Sequence, residues 1–262
     1  MHTWTIGMGL AAVIALTAWR LRWLTGSGAL AAWVAGTVAM GGGWDWGIVL
    51  ISYFVACTAL SRIGAADKTR RTVGRLDKPG ARDAAQVASN GGFFVLAAAG
   101  QWTSPSVVWQ CVGVGALAAS AADTWATEVG SMARALPRSI VTRKPVAPGT
   151  SGGVTVSGTV ASAAGALFVG IIAVAVGWPT IALWSALVAG IAGSMLDSLL
   201  GAVAQGRYWC ASCDVETERR VHNCGTTTTL RGGSRWLNND GVNAFATAAG
   251  AAIGFAAAIG AR

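Results

Sequence analysis

The chain has 262 residues, 53% of them hydrophobic and only 11% charged, with 36 Gly and 13 Trp. That balance excludes an ordinary soluble domain and points to a polytopic membrane protein. The 19 Lys and Arg outnumber the 11 Asp and Glu, giving a net charge of +8; such an excess suits nucleic acid, anionic lipid or the cytoplasmic loops of a membrane protein, and its placement decides among them.

The first apolar run, about 3–19, carries Arg20 and Arg22 after it instead of before it, so it reads as a retained helix and not as a secretory leader. Further runs follow at about 28–43, 45–61, 84–100, 106–129, 154–177, 179–204 and 239–261. Each approaches the roughly 20 residues that a spanning helix needs. The run at 28–43 is the weakest, being short and ending in Gly41, Gly42 and Gly43. Gly and Ala recur at close spacing, as at Gly158, Ser162 and Gly165, which permits tight helix packing. The expected fold is all-α, a single integral membrane domain over 1–262 with about eight transmembrane helices around a Gly/Ala-rich core.

With eight crossings the loops alternate sides. Loops 20–27, 62–83, 130–153 and 205–238 then hold 18 of the 19 basic residues, leaving Arg262 on the other side with both termini. The positive-inside rule makes the four basic loops cytoplasmic. The charge excess is thereby assigned to topology, and nucleic acid is not expected as a partner.

Polar residues inside the spans converge on the same side. Ser120, Asp123, Thr124, Thr127 and Glu128 occupy about 140° of one helix, at 100° per residue; Ser194, Asp197, Ser198, Gly201 and Gln205 occupy about 100° of another. Arg82, Gln86 and Asn90 follow at i, i+4, i+8, and Asn239, Asp240 and Asn243 open the last helix. Carboxylates within a bilayer are costly and mark functional sites. These spans contain no base to pair with Asp123, Glu128 or Asp197, whereas Asp240 also reads as a helix cap. Several acids in one leaflet form an oxygen-rich pocket suited to Mg²⁺.

Before the sixth span, Arg143 and Lys144 precede Gly149, Thr150, Ser151, Gly152 and Gly153. Small residues at a helix start beside two bases make either a phosphate cradle or an ordinary glycine turn. No Lys follows Gly, so it is not a P-loop. Loop 205–238 holds Cys210, Cys213, His222 and Cys224. The C-x₂-C pair with a short H-x-C pair reads either as a structural Cys₃His zinc site or as reduced thiols close in sequence. Cys57 and Cys111 lie in spans and read as small apolar residues. The only two His are His2 and His222, which disfavours His-nucleophile and Ser-His chemistry in the membrane.

Five segments in order, "GARDAAQVASNGG" (80–92), "AADTWATEVG" (121–130), "VTRKPVAPGTSGGVTVSGT" (141–159), "GSMLDSLLGAVAQ" (193–205) and "RWLNNDGVN" (235–243), resemble the integral-membrane family that includes plant phytyl-phosphate kinase and transmembrane protein 19. The resemblance implies transfer of a phosphoryl group from CTP or another nucleoside triphosphate to a membrane isoprenyl monophosphate, with Mg²⁺ as cofactor. On that reading Asp123, Glu128, Asp197 and Asp240 hold Mg²⁺ or orient the acceptor. Arg143, Lys144, Gly149, Thr150, Gly152 and Gly153 hold donor phosphates, with Arg82, Asn90, Thr124, Ser198, Asn239 and Asn243 in support. The Cys/His insert departs from the plant pattern, so the phytyl chain itself is not carried over. Two other classes use a similar pocket: an isoprenyl-phosphate transporter or flippase, for which midplane polar groups are expected, and a CDP-alcohol-type phosphotransferase, whose Asp-Gly start is present at Asp240 and Gly241 without the rest of its motif.

Overall fold

The computed structural model describes residues 2–72 and 80–261. Arg75, Lys78 and Arg262, counted among the basic residues above, lie outside the described residues. The protein is mostly helical. Eight long helices fall on the eight apolar runs: α1 (His2–Arg20), α2 (Gly26–Gly42), α3 (Trp44–Arg62), α5 (Ala84–Thr103), α6 (Val107–Met132), α7 (Val156–Ala175), α8 (Ile181–Val203) and α9 (Asn239–Gly260). A short helix, α4 (Ala65–Arg71), stands between α3 and α5. Among the described residues five helices, α3, α6, α7, α8 and α9, are long and apolar enough to cross a bilayer. The apolar part of α1, Thr5–Arg20, is shorter, and α2 has 17 residues.

The helices start where side chains can satisfy the orphan N–H groups of a first turn. Thr25 accepts from Gly28 N at 3.1 Å, Thr155 from Gly158 N at 3.0 Å and Asn238 from Gly241 N at 3.0 Å. Asp83 and Gln86 close a reciprocal capping box at the start of α5. Such caps matter more in lipid, where no water is at hand to replace them.

The middle of the bundle is α6, whose residues from Gly113 to Ala122 are all buried, against α5, α7, α8 and α9. Small side chains allow this. A Cβ on Gly115 would lie 2.3 Å from the carbonyl oxygen of Gly250, and one on Gly250 would lie 2.5 Å from that of Gly115. The α6 and α9 backbones therefore touch, which is how helices associate where lipid offers no hydrophobic drive. Larger side chains fill the far end, where Trp46 packs on Trp178 and Phe94 with ring centroids 4.7 and 5.2 Å apart. Around this core the outward faces carry exposed Leu10, Val13, Val55, Leu96, Ile171 and Val188. A lipid-facing surface accounts for them.

The all-α expectation needs correction at one end. Strands β1 (Arg138–Ser139) and β2 (Gly153–Val154) pair antiparallel, and β3 (Arg207–Cys210), β4 (Val215–Thr217) and β5 (Thr229–Gly232) form an antiparallel sheet in the order β4-β3-β5. Both sheets belong to segments expected as loops. Rich in Gly, Pro and polar residues, those segments satisfy their backbones by strand pairing instead.

The four basic segments gather at this same end. Arg62 donates to the carbonyls of Leu21 and Arg22, Thr25 N donates to Arg82 O at 3.0 Å, and Arg71 donates to the carbonyls of Ser131 and Ala133 at 2.8 and 2.7 Å. Ser151 in turn donates to Glu218 across the last two segments.

Candidate functional site

A polar pocket of about 310 Å³ opens among α6, α7, α8 and the basic segments. Asp123 projects from α6 and Asp197 from α8, and their carboxyl groups come within hydrogen-bonding reach of each other. The Asp197 Oδ2 atom is buried without a hydrogen-bond partner. Among the described residues no base forms an ion pair with either acid. Two carboxylates in contact repel unless a proton or a cation lies between them. Such a pair, with a lone buried oxygen, fits the all-oxygen donor set that Mg²⁺ prefers.

Glu128 lines the same pocket but has a partner: Lys68, reaching in from α4, forms an ion pair with it and also donates to the carbonyls of Leu60 and Ser61. In the sequence Lys68 reads only as one of the bases of loop 62–83, because it lies 60 residues from Glu128 along the chain. Arg71, on the next turn of α4, lines the pocket as well.

The glycine segment forms the opposite wall, with Gly149, Thr150, Ser151, Gly152 and Gly153 all lining the pocket. Gly152 has φ +75°, and a Cβ there would lie 2.4 Å from the Ala202 Cβ and 2.7 Å from the Ser198 carbonyl oxygen. Only glycine permits the loop to rest on α8 one turn beyond Asp197. Within the loop the Thr150 N–H bonds Ala147 O at 3.1 Å and the Gly153 N–H bonds Thr150 O at 3.0 Å. The first turn of α7 follows, presenting Thr155 and Thr159 and the partial positive charge of a helix start. Ser198 and Asn239 complete the rim, and Glu218, one residue beyond β4, closes over it through Ser151.

Other sequence candidates lie elsewhere. Arg143 and Lys144 are exposed on the hairpin between β1 and β2 and do not line the pocket; Arg143 adopts φ +59° and its carbonyl accepts from Arg138. Thr124 turns toward Cys57 on α3. Asp240 and Asn243 stand on the first turns of α9, half-buried, outside the pocket lining.

Arg82 and Asn90 belong to a second cavity of about 190 Å³, walled by α1, α2, α3 and the start of α5. Its lining is apolar along Leu10, Ile14, Ala35, Met40 and Ile51, and polar only at the end that Arg82, Gln86, Asn90 and Tyr53 provide. Ser120 of α6 joins the two regions: its hydroxyl is 2.7 Å from the Tyr53 hydroxyl and 2.7 Å from Asn90 Oδ1. Tyr53 lies within electrostatic reach of both Arg82 and Asp123.

The third grouping is the Cys/His segment. The ligand atoms of Cys210, Cys213, His222 and Cys224 lie within 4.8 Å of one another. Hydrogen bonding with Thr226 and then with His222 pulls the Cys224 thiol down to about 5, whereas hydrogen bonding with Cys224 pushes Cys213 up to about 11. One thiolate is thus already favoured in the cluster.

A family model described as an integral membrane protein family, DUF92, matches residues 9–251. Protein PGR of Arabidopsis thaliana is 30% identical over 260 residues, covering 89% of this chain and 88% of the relative. Uncharacterized membrane proteins of Methanocaldococcus jannaschii and of Synechocystis are each 29% identical, over 73% and 85% of this chain and 79% and 78% of their own lengths. No solved structure matches.

Proposed function

The chain belongs to the DUF92 family of integral membrane proteins, and we propose that it is a membrane-embedded kinase that transfers a phosphoryl group from CTP or another nucleoside triphosphate to an isoprenyl monophosphate. One observation carries the reading: Asp123 and Asp197 meet beneath a glycine loop and a helix start, and among the described residues no base pairs with either. Acids placed so need a cation, and the loop and helix start favour phosphate.

When bound, Mg²⁺ would neutralise phosphate charge as it builds between donor and acceptor. Asp123 and Asp197 are the residues to hold it. Glu128 is already compensated by Lys68 and serves to fix that lysine at the pocket wall, while Asp240 contributes only from the helix start. Gly149, Thr150, Gly152 and Thr155 orient the donor phosphates, with Arg71 supplying full positive charge. An acceptor phosphate oxygen attacks the terminal phosphorus of the donor; the bond from that phosphorus to its bridging oxygen breaks, and the nucleoside diphosphate leaves with the electron pair. An ionised phosphate is nucleophilic at neutral pH, so no strong general base is required.

We assign the apolar cavity to the isoprenyl tail, with Arg82 and Asn90 at its polar end meeting the acceptor phosphate. All eight long helices cross the membrane in this reading, with both termini outside and the basic end in the cytoplasm, as the charge bias requires. The test is an assay of purified protein with labelled CTP or ATP and a panel of isoprenyl monophosphates. Diphosphate formation supports the kinase. Folded protein that instead moves isoprenyl phosphates across vesicles without forming diphosphate would replace it with a transporter.

A further inference from the structure

We propose that Cys210, Cys213, His222 and Cys224 bind one structural Zn²⁺, which staples the β4-β3-β5 sheet and so holds Glu218 over the polar pocket. The site is built from two tight turns, each giving two ligands. In the first, Cys210 ends β3 and Cys213 lies in the turn to β4, closed by Asp214 at φ +55°. In the second, His222 N donates to Thr226 O at 3.0 Å and Gly225 N to His222 O at 2.9 Å, with Gly225 at φ +83°. These turns bring Cys210 Sγ to 3.5 Å and His222 Nδ1 to 3.3 Å from Cys224 Sγ. A tetrahedral zinc with sulfur ligands at about 2.3 Å requires neighbouring ligand atoms at roughly 3.5–3.8 Å. The cluster has close to that size.

Three cysteines cannot all be accounted for by disulfide pairing, and a bridge between any two leaves one thiol and the imidazole over. His222 is buried, and the one hydrogen bond of its ring among the described residues runs from Nδ1 to Cys224, so the imidazole is placed by the cluster itself. The sheet also lacks a core of its own. Tyr208 and Cys210 are buried, but Val221, Leu230 and Trp236 are exposed. A segment with so little apolar burial is held by a metal or a cross-link where it is ordered at all.

The consequence for the pocket follows from distance along the chain. Only β4 and Asp214 separate Cys213 from Glu218, and Glu218 receives the Ser151 hydroxyl from the glycine loop. A metal that fixes Cys213 therefore fixes the cap. Without it, β3, β4 and β5 depend on the backbone pairing of three short strands.

Elemental analysis of the full chain, purified without chelator or polyhistidine tag, should find about one zinc per molecule. Cys213→Ser and Cys224→Ser should lose it, while Cys57→Ser, in α3, should retain it. Where a variant does not fold, wild-type protein exchanged into Co²⁺ gives the same answer through thiolate-to-cobalt absorption. Hydrogen exchange should rise at least tenfold in residues 207–232 on chelation and stay unchanged in α6 and α8. Absence of both zinc and a cobalt spectrum from folded protein would overturn the site. Chelation that removes zinc but leaves exchange of 207–232 unchanged would overturn the staple. Neither readout depends on kinase activity.

Discussion

The two cavities on either side of α6 differ in what built them. The larger one is lined by acids, hydroxyls and a glycine loop drawn from α6, α7, α8 and three of the basic segments. The smaller one is lined almost entirely by apolar side chains of α1, α2 and α3, with polar groups only at the basic end. Helical phase determines which residues share a face, but the neighbouring helices determine which cavity that face enters. The Arg82, Gln86 and Asn90 stripe lies at the same end as Asp123 and still opens into the other space. Under the proposed function, charge chemistry belongs to one side and an apolar chain to the other, with Tyr53 and Ser120 between.

The strongest way to break this comparison is to remove charge from the polar side. Asp123→Asn and Asp197→Asn should each lower turnover about 100-fold or more, since the lost charge acts mainly in the transition state. Their melting temperatures should hold or rise, because a buried acid without a base is costly to keep. Steady-state turnover and a thermal melt on the same sample check both halves.

Packing beneath both cavities comes next. Gly250→Val would force a side chain into the Gly115 carbonyl, and overpacking of that kind costs roughly 1–3 kcal/mol or more. Reversible unfolding in detergent should show a loss of stability that Ala119→Gly does not relieve, because the Gly115 carbonyl remains in the way. Lys68→Met leaves Glu128 without its partner in a half-buried position and should cost about 2 kcal/mol, less than a fully buried pair would. Adding Glu128→Gln should recover most of it.

On the apolar side, Ala35→Phe should raise KM for a long-chain acceptor about tenfold while leaving nucleotide KM unchanged, a split expected when only ground-state room for the tail is lost. An equal rise in both would mean that the two cavities do not divide the substrates. The smallest effect is expected at Lys144. As an exposed hairpin charge outside the pocket, it acts at long range and is screened by salt, so Lys144→Ala should change nucleotide KM by only about twofold.

Much of this architecture is legible before any coordinates. Apolar runs mark all eight long helices because each must satisfy its own backbone, whereas the caps are harder to read: the sequence offers Asp240 for the last helix, but Asn238 caps it and Asp240 lies inside the first turn. Asp123 and Asp197 attract notice because acids are rare in such helices, and the structure brings them together. The four zinc-type ligands stand out by spacing, and they converge. What stays hidden depends on contacts between distant segments. Lys68 reads as one of many loop bases until α4 folds back on α6, and Glu218 reads as a surface acid until β4 carries it to Ser151. Arg143 and Lys144 show the converse: proximity in sequence to the glycine loop suggests a shared site, but the β1–β2 hairpin turns them outward. Short strands in polar segments carry too few alternating residues to announce themselves.

Cation binding by the acid pair tests the central claim most directly. Mn²⁺, which takes oxygen ligands as Mg²⁺ does, can be titrated into purified protein with a non-hydrolysable nucleoside triphosphate analogue and its free fraction read by electron paramagnetic resonance. Wild-type protein should show nucleotide-dependent Mn²⁺ binding, and the Asp123→Asn/Asp197→Asn double variant, still folded, should lose it by at least tenfold in affinity. Undiminished binding in that variant would contradict the account and move the cation, and with it the phosphoryl-transfer site, to another part of the molecule.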